Sequence, residues 1–186
     1  MDLQLKGKTA LVTGASMGIG RAIAKMLAAE GVQCAVVARR GALLDELAAE
    51  IRGAGHPVPG VIEADVLPEG SPQSIAAEAL RLLGRVDILV NSAGGSRSLP
   101  IDAPEERWTE ALTLNFTRLR QLTHAVLPGM MQSQWGRIVN ITGKSEPEGL
   151  NAAFPSKAAV HAWSKGHSRE IGRHGITINW IPPGRI

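Results

Sequence analysis

The chain has 186 residues, enough for one domain with a sizeable core and too few for two comfortable ones. Hydrophobic residues make up 44% and charged residues 20%, with no like-charged block or low-complexity tract, which excludes a disordered chain. The net charge is only +3 with basic residues scattered, which leaves nucleic-acid binding without support, and the single cysteine excludes a disulfide framework.

That cysteine, Cys34, lies in an apolar run and reads as an inert core thiol in a reducing compartment. The start of the chain, Met1 to Lys6, carries neither a basic leader nor an apolar signal region. No later segment stays apolar over the roughly 18 residues that a membrane span needs. The expectation is a cytoplasmic protein without a membrane partner.

Thr9-Ala10-Leu11-Val12 is a short, partly β-branched run of the kind a buried parallel strand shows, and Ala22, Ile23, Met26 and Leu27 then recur at helical spacing. Between them lies Thr13-Gly14-Ala15-Ser16-Met17-Gly18-Ile19-Gly20. Gly14 permits a tight turn, Gly18 lets the backbone approach a ligand, and Gly20 allows the helix to pack on the sheet. Free N–H groups at the helix start suit an anion such as a pyrophosphate. With the leading threonine and the spacing G-x-x-x-G-x-G, the stretch resembles the cofactor fingerprint of the short-chain dehydrogenase/reductase family. The resemblance assigns Gly14, Ser16, Gly18, Ile19 and Gly20 to a dinucleotide.

Gln33 to Ala38 is a second strand, ending in Arg39-Arg40. Its tip lies about 20 residues beyond the last fingerprint glycine, where a dinucleotide fold meets the adenosine ribose. Two arginines and no acid there point to NADP rather than NAD, because an arginine accommodates a 2′-phosphate. Leu43, Leu44, Leu47, Ala48 and Ile51 form a helical stripe closed by Gly53-Ala54-Gly55. Val58 to Ala64 reads as a third strand; by the resemblance, the Asp65-Val66 that follows frames the adenine. Ser71-Pro72 opens a third helix with proline at the first helical position, burying Ile75, Ala79, Leu80 and Leu83.

Val86 to Val90 is a fourth strand running into Asn91-Ser92-Ala93-Gly94-Gly95, which resembles the family's Asn-Asn-Ala-Gly. Small Ala93 and Gly94 let the backbone approach the nicotinamide ribose, while Asn91 can cross-link strand ends. The alternation of strands and helices implies parallel strands with right-handed crossovers. The expected fold is therefore α/β, a doubly wound parallel (Rossmann) sheet, for which the resemblance implies strand order 3-2-1-4-5-6.

A long helix from about Pro104 to Val126 places Trp108, Leu112, Asn115, Leu119, Leu122 and Val126 on one stripe. A buried asparagine needs partners. By the resemblance, Asn115 bends this helix and holds a water of a proton relay. Gly136 to Thr142 is the fifth strand, matching the family's G-R-I-V-N-I-S.

The chain then departs from the family. Gly143 occupies the position of the catalytic serine, with Thr142 and Ser145 the nearest hydroxyls. Lys157 stands in place within the family's Tyr-x-x-x-Lys, but Ala153 occupies the tyrosine position, and the sequence has no tyrosine. The following helix reaches about Gly172, and His161, His167 and His174 on and beyond it show no metal-ligand pattern. Ile176 to Ile181 is a sixth strand, and Pro183-Gly184 completes the family's Asn-x-x-x-Pro-Gly, which closes over the nicotinamide. Family members continue into a substrate-covering segment and a seventh strand that this sequence does not contain.

The general look is that of a 3-oxoacyl-carrier-protein reductase, which implies a small carbonyl or alcohol substrate and a homodimer or homotetramer. Two readings stay open. One is an oxidoreductase whose relay is rebuilt around Ser145, Lys157 and Asn115; the other is an NADP-binding pseudoenzyme.

Overall fold

Short apolar runs with β-branched residues, buried on both faces, set the centre of the molecule, as the physics of a parallel sheet requires. The computed structural model describes residues 3–143 and 149–184. Its strands are β1 (Thr9–Thr13), β2 (Gln33–Ala38), β3 (Gly60–Glu63), β4 (Ile88–Asn91), β5 (Gly136–Ile141) and β6 (Ile176–Ile181). They pair in parallel in the order β3-β2-β1-β4-β5-β6, the doubly wound arrangement in which a crevice opens at the strand carboxyl ends.

The helices are α1 (Gly18–Ala29), α2 (Gly41–Gly53), α3 (Ser71–Leu83), α4 (Glu105–Leu112), α5 (Arg118–Ser133) and α6 (Ala153–Ile171). Alternation along each strand divides the core between the two faces. Leu11, Leu89 and Ile138 meet Ile75 and Ala79 of α3 and Leu122, Val126 and Met130 of α5. Ala10, Val12 and Val90 point the other way, onto Ala24 and Ala28 of α1 and Leu44, Leu47 and Ile51 of α2. Truncation of a fully buried side chain such as Leu47 to alanine costs about 2–5 kcal/mol. Cys34 belongs to this second core, where burial pushes its thiol up to about 12 and keeps it inert.

Several elements differ from the sequence expectation for local reasons. β3 is shorter than Val58–Ala64, since Pro57 and Pro59 carry no N–H for the ladder. β4 starts at Ile88 rather than Val86. Just before it, the Asp87 carboxylate accepts the Thr9 N–H at 2.9 Å. Helix α3 has Gly70 at its N-cap, in the left-handed region at φ 77°, and proline second rather than first. Ser71 Oγ donates instead to the Asp65 carbonyl. Leu80 proves exposed, and Ala76 takes its place in the buried stripe.

The single long helix is interrupted. Thr113–Thr117 forms a π-helical turn between α4 and α5, and α5 continues to Ser133. The wider turn shifts the phase of the stripe, so Leu112 is exposed while Ala111 and Leu114 turn inward to the crevice. No helix among the described residues is long and apolar enough to cross a membrane.

Candidate functional site

The turn from β1 into α1 is built by sterics. Gly14 sits at φ 68°, and a Cβ there would come within 2.8 Å of Ala93 N and the Ser92 carbonyl. A Cβ on Gly20 would collide with the Gly14 carbonyl oxygen, which is why this helix can approach its strand so closely. Gly18 differs: at φ 56° its missing Cβ would meet nothing within 4 Å, so it leaves open space. Ile19 packs against the α1–α2 core, leaving its backbone to the helix start. The first turn of α1 has no side-chain cap and no acid, so its N–H groups are available to an anion. Thr13 Oγ1 fixes the neighbouring loop by accepting the Ser92 and Ala93 N–H groups, each at 3.1 Å.

A cleft of about 380 Å³ runs from this turn across the strand ends. At one end the two arginines part company. Arg40 donates to the buried Ser16 Oγ at 3.2 Å and lies 2.9 Å from Met17 Sδ, folding over the glycine turn. Arg39 is 77% exposed and turns to Asp65, 3.8 Å away. The other carboxylate oxygen of Asp65 accepts the Leu67 N–H at 2.9 Å, holding the loop in which Val66 lines the cleft.

At the carboxyl ends of β4 and β5, polar residues are buried and partnered. Asn91 Nδ2 donates to Asn140 Oδ1 at 2.9 Å and to Thr123 Oγ1 at 3.2 Å; Asn140 Nδ2 donates to Ser164 Oγ at 3.1 Å. The chain of bonds ties β4 and β5 to α5 and α6. Asn140, Thr123 and Ser164 escape a reading by motif, although a polar residue inside the apolar run of β5 is the available signal.

Asn115 lies in the π-helical turn, 1% exposed. Its Nδ2 donates to Ala111 O at 2.9 Å and Gly95 O at 3.0 Å, and its Oδ1 accepts the Gly95 N–H at 3.1 Å. The π turn sets the helical ladder out of step, and the side-chain amide takes up the Ala111 carbonyl. Lys157, one turn into α6, donates to Ile141 O at 2.8 Å. A Cβ on Gly94 would lie 2.8 Å from Asn115 Oδ1 and 3.2 Å from Lys157 Nζ, so both groups converge on that glycine. Burial pushes the Lys157 ammonium down to about 8, which keeps it charged at pH 7 yet close to release.

Ala153 is buried and lines the cleft, its N–H bound to Asn151 Oδ1 at 2.8 Å. A Cβ on Gly143 would meet nothing within 4 Å. The Thr142 hydroxyl is held on the side of α6 and β6: it donates to Ile181 O at 3.3 Å and lies 3.0 Å from His161 Nε2. His161 stacks on Trp180 with ring centroids 5.1 Å apart. Its imidazole is driven below the usual histidine value by burial and then by the Lys157 charge. Ser145 lies outside the described residues. Pro183 and Gly184 follow β6 and do not line the cleft of described residues. Among the described residues no three His, Cys, Asp or Glu side chains gather to hold a metal.

A sequence model described as short chain dehydrogenase matches residues 8–186. The chain is 36% identical to a 3-oxoacyl-[acyl-carrier-protein] reductase of Vibrio cholerae, with 99% of this chain and 75% of that protein covered. It is 38% identical to a D-beta-hydroxybutyrate dehydrogenase of Cupriavidus necator, over 98% of this chain and 72% of that one. Among solved structures, a 7 alpha-hydroxysteroid dehydrogenase complexed with NADH and 7-oxo glycochenodeoxycholic acid superimposes with a TM-score of 0.93 at 32% identity. That match covers 98% of this chain and 72% of the other. A metagenomic short-chain oxidoreductase in complex with NADP follows at a TM-score of 0.88 and 29% identity, over 97% and 84%. With fold, glycine turn and relatives in agreement, the chain belongs to the short-chain dehydrogenase family of oxidoreductases.

Proposed function

We propose that the chain is an NADP(H)-dependent oxidoreductase that interconverts a carbonyl compound and its alcohol. The observation that carries this reading is the cleft itself, with an arginine and a serine over the glycine turn at one end and Lys157 and Asn115 converging on Gly94 at the other. The open space at Gly18 and the uncapped start of α1 fit a pyrophosphate. Arg40 and Ser16 are a donor set for a 2′-phosphate, with Arg39 in reach from Asp65. Asp65 and Val66 take the adenine side of the cleft, and Asn91, Ala93 and Gly94 hold the strand end against which the nicotinamide ribose lies.

When bound, the reduced dinucleotide supplies a hydride to the carbonyl carbon. The oxygen then needs a proton, and the family's tyrosine is replaced by Ala153. Lys157 Nζ is the ionised donor beside Gly94, and with a proton that leaves near 8 it protonates the alkoxide oxygen or hands the proton on through a water. Asn115 acts by position, pinning Gly95 from both its N–H and its carbonyl. Pro183 and Gly184 are the segment that would close over the nicotinamide, and Ser145 is the hydroxyl reserved for orienting the carbonyl. The assembly that fits is a homodimer or homotetramer through α5 and α6, since Ala158, Ala162 and Gly166 leave an exposed, smooth face on α6. NADPH binding by calorimetry, followed by absorbance at 340 nm against a panel of ketones, tests the reading. Micromolar binding with turnover supports it, and failure to bind either NADPH or NADH refutes it.

A further inference from the structure

We infer that the substrate of this cleft is an anion, bearing a carboxylate or phosphate that Arg97 and Arg107 receive. The inference rests on the hydride-transfer reading and adds the chemical class of the molecule that enters beside the cofactor.

Both arginines line the cleft, and both are exposed at its rim. Arg97 belongs to the substrate end by its anchoring. On one side of it Ser96 Oγ accepts from Asn151 Nδ2 at 2.8 Å, and on the other Ser98 forms an antiparallel bridge with Asn151. Asn151 in turn receives the N–H of Ala153, so Arg97 is fastened beside the position that faces the reacting carbonyl. Arg107 heads the inward stripe of α4 that continues through Ala111 and Leu114 and ends at Asn115. The two cations therefore reach the cleft from different elements, Arg97 from the loop Gly94–Leu99 and Arg107 from α4.

What sets them apart from the other two arginines of the cleft, Arg39 and Arg40, is that neither guanidinium has a partner among the described residues. Arg21, Arg39, Arg81 and Arg85 all pair with acids, and Arg40 and Arg118 are held by hydrogen bonds. Arg97 and Arg107 form no ion pair among the described residues, although Glu110 lines the same wall one turn beyond Arg107. Among the described residues at this end of the cleft, two cations against that one carboxylate leave a net positive rim. Arginine presents planar donors matched to carboxylate and phosphate oxygens, and a low-dielectric wall concentrates its field.

The test uses pairs of ketones, one member of each pair bearing the anionic group and the other not, with the protein saturated in NADPH so that Arg39 and Arg40 are occupied. Acetoacetate is compared with methyl acetoacetate, and dihydroxyacetone phosphate with dihydroxyacetone, following absorbance at 340 nm; the two pairs tell carboxylate from phosphate. The charged member of one pair is expected to have a KM at least about tenfold lower than its neutral counterpart. The Arg97→Gln/Arg107→Gln double variant should lose that advantage while the neutral ketone is unaffected. Equal use of charged and neutral members by the wild type, or equal losses for both in the variant, overturns the inference. Calorimetric titration of the same compounds into the NADPH complex separates the two claims: selective anion binding abolished by the double variant, without turnover, upholds anion recognition and counts against hydride transfer. Failure of every compound to bind overturns the anion inference while leaving dinucleotide binding to be read independently.

Discussion

Replacing Lys157 by methionine should make the protein more stable at pH 7 while abolishing turnover. The ammonium is held largely away from water, and its folded-state value of about 8 against the ordinary 10.5 measures what burial costs the charge. At about 1.4 kcal/mol per unit, the difference corresponds to about 3 kcal/mol at pH 7, where the lysine is protonated in both folded and unfolded chains. Methionine fills a similar volume but forfeits the hydrogen bond to Ile141 O, worth about 1 kcal/mol, so the variant should gain about 2 kcal/mol. The sign reverses the usual lysine case. Between about 8 and 10.5 the unfolded chain holds a proton that the folded chain has released, so wild-type stability rises with pH. By pH 9.5 the wild type should have recovered about 2 kcal/mol relative to Lys157→Met. Urea unfolding of both proteins, free of cofactor, at pH 7 and 9.5 measures this. Stability differences that stay constant across that range would refute the argument that burial alone depresses this lysine.

Other consequences follow from the same geometry. Arg40→Ala should weaken NADPH at least about tenfold and NADH little, with a smaller loss in Arg39→Ala, because only Arg40 is bound to Ser16; parallel losses for both dinucleotides in calorimetry would contradict this. Ala153→Tyr combined with Gly143→Ser should raise ketone reduction by about 10²- to 10⁴-fold, the usual contribution of a general acid, and an unchanged kcat would show that the proton is already supplied. Gly14→Ala should fail to fold or lose many degrees in thermal unfolding, because its Cβ meets backbone at 2.8 Å. Gly18→Ala should fold with a strain of about 1–2 kcal/mol and lose dinucleotide affinity; identical Tm values for the two variants would refute the distinction.

The strand framework was legible because buried strands announce themselves locally. β2 and β6 occupy the residues that their apolar runs mark, and glycine spacing marks the turn before α1. Helical periodicity assumes 3.6 residues per turn throughout, so the π-helical turn at Thr113–Thr117 could not emerge from it. Its consequence, the outward rotation of Leu112, was invisible for the same reason. Asn115 was readable as a polar residue in an apolar stripe, but its partner Gly95 depends on a loop approaching from another strand. Arg39 and Arg40 looked equivalent in sequence. Only the opposed directions of adjacent side chains at the strand end separate the one that meets Ser16 from the one that meets Asp65. The network of Asn91, Asn140, Thr123 and Ser164 joins four elements far apart in the chain, which local patterning does not reach.

The central claim is that this cleft passes a hydride between a nicotinamide and a carbonyl. NADPH carrying deuterium at the transferable C4 position, incubated with the protein and a panel of ketones, tests it by mass spectrometry of the alcohols formed. The account predicts an alcohol one mass unit heavier, labelled at the former carbonyl carbon, and loss of that label in Lys157→Met. Tight NADPH binding with no deuterium in any product would contradict it.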